Sequence, residues 1–415
     1  MSLSRNLSGC QVFRPEHLPA DWDCDPLKER LELLYGRALR EEDRRPGETV
    51  VFGSNGSVGT HNAKWLDPPG VLVGRKGTVG SVHYTNRPYW PIDTVYYVHA
   101  TREDYVRYLY YLLDYLPLRF LNAATGVPGL SRRDAYALRG AFPGQEEQAA
   151  IVRILDAVDN TINETRDAMD RAKDVRRALR QRLFSHGTRG ERQKKTRIGW
   201  IPQSWDVIAL STIVDEFQYG LSVPMQTSGH LPILRMGNIQ DGDVLLRDLK
   251  YVTLLEKRTA PCMLKRGDVL FNRTNSQELV GKIGVYRSDV AAVFASYLIR
   301  LKMDPDFVDN YFIGQLLDSN DTQCRIKRYA TPGVQQVNIN AKNLGKALIP
   351  FPPVGKGLDE QKDIAAILEH ADSTIRSFVP KLDRLAELKR ALSNDLFTGR
   401  IRVKTISPPN AVGVA

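Results

Sequence analysis

Five polar residues in a row, Asn272-Arg273-Thr274-Asn275-Ser276, follow directly on the apolar run Val269–Phe271. Such a run reads as a buried strand, and a buried strand delivers whatever follows it to one fixed place at its end. The residue types suit the edges of base pairs: arginine presents a fork that fits guanine, and asparagine or glutamine pairs with adenine. Lys282 closes the same segment, and Arg235-Met-Gly-Asn238 offers a further arginine and asparagine upstream. Two glycine-rich turns early in the chain carry similar donors. Gly53-Ser54-Asn55-Gly56 and Gly74-Arg75-Lys76-Gly77-Thr78 let the backbone approach a ligand closely, and Ser54, Asn55, Arg75, Lys76 and Thr78 suit phosphate or base edges. Each feature also has a plainer reading, since glycines make tight β-turns, and Asn and Ser are common in turns for local reasons.

Other chemistry is harder to place. Neither a G-x-x-x-x-G-K-[ST] nor a G-x-G-x-x-G loop stands between a strand and a helix, and H-E-x-x-H and G-x-S-x-G are missing. Asp67-Pro-Pro-Gly70 lacks the aromatic residue of an amino-methyltransferase motif and reads as a turn. His61 and His83 have no partners at ligand spacing and read as structural, while Cys10, Cys24, Cys262 and Cys324 are too scattered for a zinc cluster or a disulfide framework. A nuclease signature of the Asp/Glu-x-Lys kind is too short to test. The formal net charge of +10 favours a polyanionic partner, weakly by itself. No apolar run approaches the ~20 residues that cross a bilayer, and Met1–Asn6 lacks the apolar core of a signal peptide, so a cytoplasmic location is expected.

The elements that must position these loops come from an internal repeat. Residues 147–162 (EQAAIVRILDAVDNTI) match residues 360–375 (EQKDIAAILEHADSTI) at an offset of 213, without a gap, as far as Leu183-Phe184 and Leu396-Phe397. Ile151, Leu155, Val158, Ile162, Thr165, Met169, Ala172, Leu179 and Leu183 follow alternating steps of four and three, with one seam position passed over between Ala172 and Leu179. Ile364, Leu368, Ala371, Ile375, Phe378, Leu382, Leu385, Leu392 and Leu396 hold the same register. That period marks a coiled-coil seam, and two helices of ~38 residues, each ~57 Å long, are expected to pack on each other. Pro380 interrupts the second copy, where a kink or break is expected near Phe378–Pro380.

Before each helix lies a globular region. Leu18-Pro-Ala-Asp-Trp-Asp23 matches Ile201-Pro-Gln-Ser-Trp-Asp206. In each half a strand-like segment (94–98; 296–300), an amphipathic helix (about 104–115; 306–318), a glycine loop (124–129; 330–333) and a proline-bearing segment follow in order. The expected fold is α+β: two globular domains (1–143 and 201–356) alternating with two long helices (144–186 and 357–402). The basic stretch 187–200 reads as an exposed linker, and residues 403–415 as a disordered tail.

With these pieces in place the chain resembles the specificity subunit of type I restriction-modification enzymes, from Leu18 to about Arg402. The resemblance is carried by the two Glu-Gln entries after a proline, the Leu-Phe helix ends, GSNGSVGTHN, GRKGTVGSVHY and YWPIDTVYYV in the first domain, and ILRMGNI and FNRTNSQELVGK in the second. It implies that each domain reads one half of a split, asymmetric site in double-stranded DNA, while antiparallel helices act as a ruler. It further implies two methyltransferase subunits that dock on the helices, marked by Ile151, Leu155, Ile162, Leu183, Ile364, Leu368, Ile375 and Leu396. Those subunits bring S-adenosylmethionine and methylate flipped adenines; restriction subunits add ATP-driven translocation and Mg2+-dependent cleavage. The chain itself is then non-catalytic and binds no cofactor. Competing readings are a partner of a fused type IIG or IIB enzyme, a stand-alone nuclease, and a coiled-coil scaffold.

Overall fold

The computed structural model describes residues 13–103, 105–121, 129–333 and 336–403. Cys10, most of the 124–129 glycine loop and the expected tail after Val403 lie outside the described residues. Four helices frame the fold: α1 (Val106–Tyr115), α2 (Gln145–His186), α3 (Asn310–Leu317) and α4 (Leu358–Phe397).

The chain forms two compact units, Met1–Arg166 with Pro380–Ala415, and Asp167–Val379. The units cut across the chain-order division into domain, helix, domain, helix, because each long helix gives one half to each unit. Both cuts fall at the same point of the repeat, since Arg166 and Val379 are 213 residues apart.

In the first unit, β1 (Leu31–Tyr35), β2 (Gly70–Gly74), β3 (Val82–Thr85) and β4 (Val95–Ala100) form an antiparallel sheet in the order β1-β4-β2-β3. β2 is buried throughout. Val71 and Val73 pack with Leu109 and Leu112 of α1, whereas Leu72 packs with Val50, Phe52 and Tyr89 on the other face. Cover on both faces explains why this strand reads as a continuous apolar run rather than as an alternation.

The second unit repeats the plan. β5 (Glu216–Tyr219), β6 (Val269–Asn272), β7 (Ile283–Val285) and β8 (Leu298–Lys302) run antiparallel in the order β5-β8-β6-β7, and two short strands extend the sheet beyond β7. Val269 and Phe271 face Phe312 and Ile313 of α3; Leu270 faces Ile233, Leu234 and Phe294.

The Glu-Gln pairs tie each long helix to a domain. Trp22 Nε1 donates to Glu147 Oε2 at 3.1 Å, and Trp205 Nε1 donates to Glu360 Oε2 at 3.1 Å. The Gln148 and Gln361 side-chain carbonyls accept from the backbone N–H of Tyr105 and Asp309, the residues that open α1 and α3, at 2.9 and 3.0 Å. The Leu-Phe ends do the opposite job. Leu396 and Phe397 of α4 pack with Ile151 and Leu155 of α2 in the first unit, and Leu183 and Phe184 of α2 pack with Ile364 and Leu368 of α4 in the second. Lys389 pairs with Asp159 at 2.8 Å in the first unit, as Arg176 does with Asp372 at 2.8 Å in the second. Ascending residues of α2 meet descending residues of α4, so the helices pack antiparallel, and no seam residue is exposed.

Three expectations need correction. Of the kink or break expected near Phe378–Pro380, the break is absent: α4 continues through Pro380. Pro380 lies on the exposed face, where water can satisfy the carbonyl it frees. The linker is not featureless: Gln193–Thr196 and Gly199–Pro202 form a β-hairpin, whose Ile198 and Ile201 reach the core of the second unit. Finally, the helix residues expected to mark partner docking do not face outward. Ile151, Leu155, Ile162, Leu183, Ile364, Leu368 and Leu396 are buried and Ile375 is half-buried, because a seam position points at the neighbouring helix and domain. The outward apolar side chains of the helices are others, among them Val175 and Ile367 in the second unit and Leu388 in the first.

Candidate nucleic-acid interface

The two glycine turns of the first unit meet at the end of β2. Gly53 pairs with Gly56, leaving Asn55 exposed and Ser54 half-buried at the tip. The Ser54 carbonyl accepts from Ser81 Oγ and lies 3.2 Å from His83 Nε2, which fixes this turn against the second one. In the second turn a Cβ on Gly74 would come within 2.2 Å of the Thr78 carbonyl, and Gly77 holds φ +75°. Glycine is required at both. Lys76 and Thr78 are exposed.

Arg75 is held firmly by its backbone. Its N–H donates to the Thr94 carbonyl at 2.9 Å, and its carbonyl accepts from Leu130 N at 2.8 Å. Its guanidinium lies over Tyr35, with Cζ 5.0 Å from the ring centroid; Arg132 lies 4.6 Å from the same ring. Neither guanidinium has a carboxylate partner among the described residues. Burial pushes the neighbouring Tyr96 hydroxyl up to about 12, so it stays protonated and offers Arg75 no negative charge. Arg132 and Tyr35 were not found by sequence reasoning. They lie far from Arg75 along the chain, and no spacing rule links them.

In the second unit Arg235 and Arg273 follow different strands, Leu231–Leu234 and Val269–Asn272, whose ends are both bonded to the turn Ala295–Tyr297. The strand before Arg235 ends on a bond from Ala295 N to the Leu234 carbonyl at 2.9 Å, and Arg273 N donates to the Tyr297 carbonyl at 3.0 Å. Arg273 Cζ lies 5.0 Å from the Tyr219 ring centroid. Thr274 and Asn275 pair with Asn338 and Val337 and are half-buried, whereas Ser276 is exposed. Lys282 is half-buried, and its carbonyl accepts from Asn272 N at 2.8 Å. Arg235 Nη2 donates to the Asp248 carbonyl at 2.8 Å.

Asn238 stands apart from these. It is buried, its amide donates to the carbonyls of Leu245 and Arg247 at 3.0 and 2.8 Å, and its side-chain oxygen accepts from Arg235 N at 2.9 Å. Its hydrogen-bonding capacity is committed to holding the loop, which leaves little to meet a base.

Among the described residues no group of His, Cys, Asp and Glu could hold a metal ion, and no helix is long and apolar enough to cross a membrane. The arrangement offers positioned cations and amides at one end of each sheet.

The family model described as the type I restriction modification DNA specificity domain matches residues 19–168 and 223–385. Over 212 residues the chain is 31% identical to a putative type I restriction enzyme MjaX specificity subunit of Methanocaldococcus jannaschii; the alignment covers 50% of this chain and 49% of the relative, about half the length of each. Over 314 residues it is 27% identical to the type I restriction enzyme MjaVIII specificity subunit of the same organism, covering 72% and 71%. The crystal structure of the type I restriction-modification S subunit from M. genitalium has the same fold, with a TM-score of 0.58 at 15% identity over 96% of this chain and 98% of that one.

Proposed function

The chain belongs to the type I restriction-modification DNA specificity family, and from that premise we propose that it is the DNA-reading subunit of such an enzyme, with one target-recognition domain in each unit. The observation that carries this reading is the presentation, at the same end of both sheets, of arginines with no carboxylate partner among the described residues: Arg75 and Arg132 in the first unit, Arg273 in the second. Asn55, Arg75, Lys76 and Thr78 meet DNA from the first domain; Arg235, Arg273, Thr274, Asn275, Ser276 and Lys282 meet it from the second. Ser54 and Asn238 shape the loops. The domains fall within 1–143 and 201–356, and the helices between them set the distance between two half-sites. The net charge of +10 adds sequence-independent attraction to phosphate.

The chain supplies positioning and leaves the reaction to partners. Two methyltransferase subunits carrying S-adenosylmethionine dock on the outward apolar side chains of the helices, Val175 and Ile367 among them, and restriction subunits bring ATP and Mg2+. Methylation-aware sequencing of the host genome, with and without this gene, tests the proposal. A two-block methylated motif should vanish with the gene. An unchanged methylome, or cleavage of duplex DNA by the purified chain with Mg2+ alone, would overturn it.

A further inference from the structure

The two reading loops leave their sheets at one and the same register position. Tyr35 stands opposite Tyr96, and Tyr96 opposite Val73; Tyr219 stands opposite Ile299, and Ile299 opposite Phe271. Arg75 comes two residues after Val73, and Arg273 two residues after Phe271. The backbone bonds around them also correspond. Arg75 N to Thr94 (2.9 Å) matches Arg273 N to Tyr297 (3.0 Å), and the bond from Leu130 N to the Arg75 carbonyl (2.8 Å) matches that from Ile339 N to Arg273 (2.8 Å). Gly80 N to the Gly74 carbonyl (2.8 Å) matches Gly281 N to Asn272 (2.9 Å), with positive φ at both glycines (+70° and +89°). The guanidinium carbon lies 5.0 Å from the tyrosine ring in each.

We infer that Arg75 and Arg273 are equivalent specificity-determining residues, each reading one guanine in the half-site of its own domain, with Tyr35 or Tyr219 as the positioning residue beneath it. This rests on the DNA-reading function proposed above. A phosphate needs only a nearby positive charge, and an exposed lysine meets that need. A fixed backbone and an aromatic face constrain a guanidinium much more closely, and this constraint matters for a planar, two-bonded contact such as that with guanine O6 and N7. Among the described residues the Arg273 guanidinium has one hydrogen bond to a protein oxygen, from Nη1 to the Ser296 carbonyl at 3.5 Å, and its buried Nε has no partner.

The test uses the full chain assembled with its methyltransferase subunits and a random-sequence duplex library, with the captured duplexes sequenced. The unaltered complex should select two blocks, each containing a guanine. Arg75→Lys keeps the charge but loses the fork, and should relax one guanine in one block by about tenfold or more, leaving the other block intact. Arg273→Lys should do the same in the other block only. Tyr35→Ala should reproduce the Arg75→Lys pattern, while Tyr35→Phe keeps the original motif. Where a lysine variant fails to fold, the glutamine variant at that position replaces it. Blocks without guanine, motifs unchanged by both variants, or a uniform loss of capture with the motif intact would overturn the inference. If the unaltered complex selects no motif at all, the DNA-reading function itself fails.

Discussion

The two units share a frame but differ in which residues dress it. In the first, Arg107 of α1 lies 4.0 Å from the ring centroid of Tyr84 in β3 and pairs with Asp156 at 2.6 Å. In the second the suppliers are exchanged: Arg287, just beyond β7, lies 5.2 Å from the ring of Tyr311 in α3 and pairs with Glu369 at 2.5 Å. Asp156 and Glu369 are the same position of the 213-residue repeat. Both units keep a cation on a ring beside a helix carboxylate, whichever element provides it. The loop ends of the sheets diverge further. Tyr35 lies under two arginines, whereas Tyr219 lies under one and accepts from Ala341 N at 3.0 Å. The loop Asn272–Lys282 is also three residues longer than its counterpart Gly74–Ser81. Packing dictates the residues that tie domain to helix, and solvent-facing loops escape that demand. Two domains on one frame are thereby free to carry different loops, as the proposed reading of two different half-sites requires.

The largest expected effects test the shared frame. Phe397 packs on Tyr108 and Tyr115, and Phe184 on Phe312. Phe397→Ala and Phe184→Ala should each cost about 3–5 kcal/mol in denaturant unfolding. A cost confined to one of them would break the equivalence of the helix ends. The next test sharpens a difference. Asp372 meets Arg176, Arg287 and Gln315 in a more enclosed setting than Asp159, which meets Lys389 and Tyr111. Asp372→Ala should therefore cost about 3 kcal/mol and Asp159→Ala about 1–2 kcal/mol; equal costs would contradict the contrast in burial.

A smaller effect depends on pH. Burial opposes ionisation of Glu147, but hydrogen bonds from Arg402, Trp22 and the Val403 backbone outweigh it and hold the carboxyl below its usual range. A carboxyl lowered in the folded state contributes stability above its unfolded value of about 4.3, and that contribution is lost as pH falls through the lower folded value. Glu147→Gln should cost about 1 kcal/mol at neutral pH, with the cost shrinking in thermal melts below about pH 4. A cost that grows in acid would reverse the assignment. Smallest of all, Lys76→Ala should reduce the slope of log affinity against log salt by about one, with the recognised motif unchanged.

The long helices were legible because their repeat has no gap. The equivalence of the domains was not, because insertions let the offset slide from 184 at Tyr35 and Tyr219 to 198 at Arg75 and Arg273 before it reaches 213. The glycine turns and the Asn272–Ser276 run announced themselves by composition. The partnership of Arg75 with Tyr35 did not, since sheet pairing joins residues 40 positions apart. Asn238 shows the converse limit: an asparagine type fits adenine, and only its buried bonds reveal that it serves the loop.

The claim that two equivalent halves read two half-sites at a distance set by the helices has one direct test. One heptad inserted after Arg166 and another after Val379 would lengthen both helices at the boundary of the units while leaving each unit whole. Seven residues add about 10 Å of helix, or about three base pairs of duplex. Sequencing of the methylated sites should return both original blocks with the gap between them wider by about three base pairs. Continued methylation at the original spacing would contradict the account.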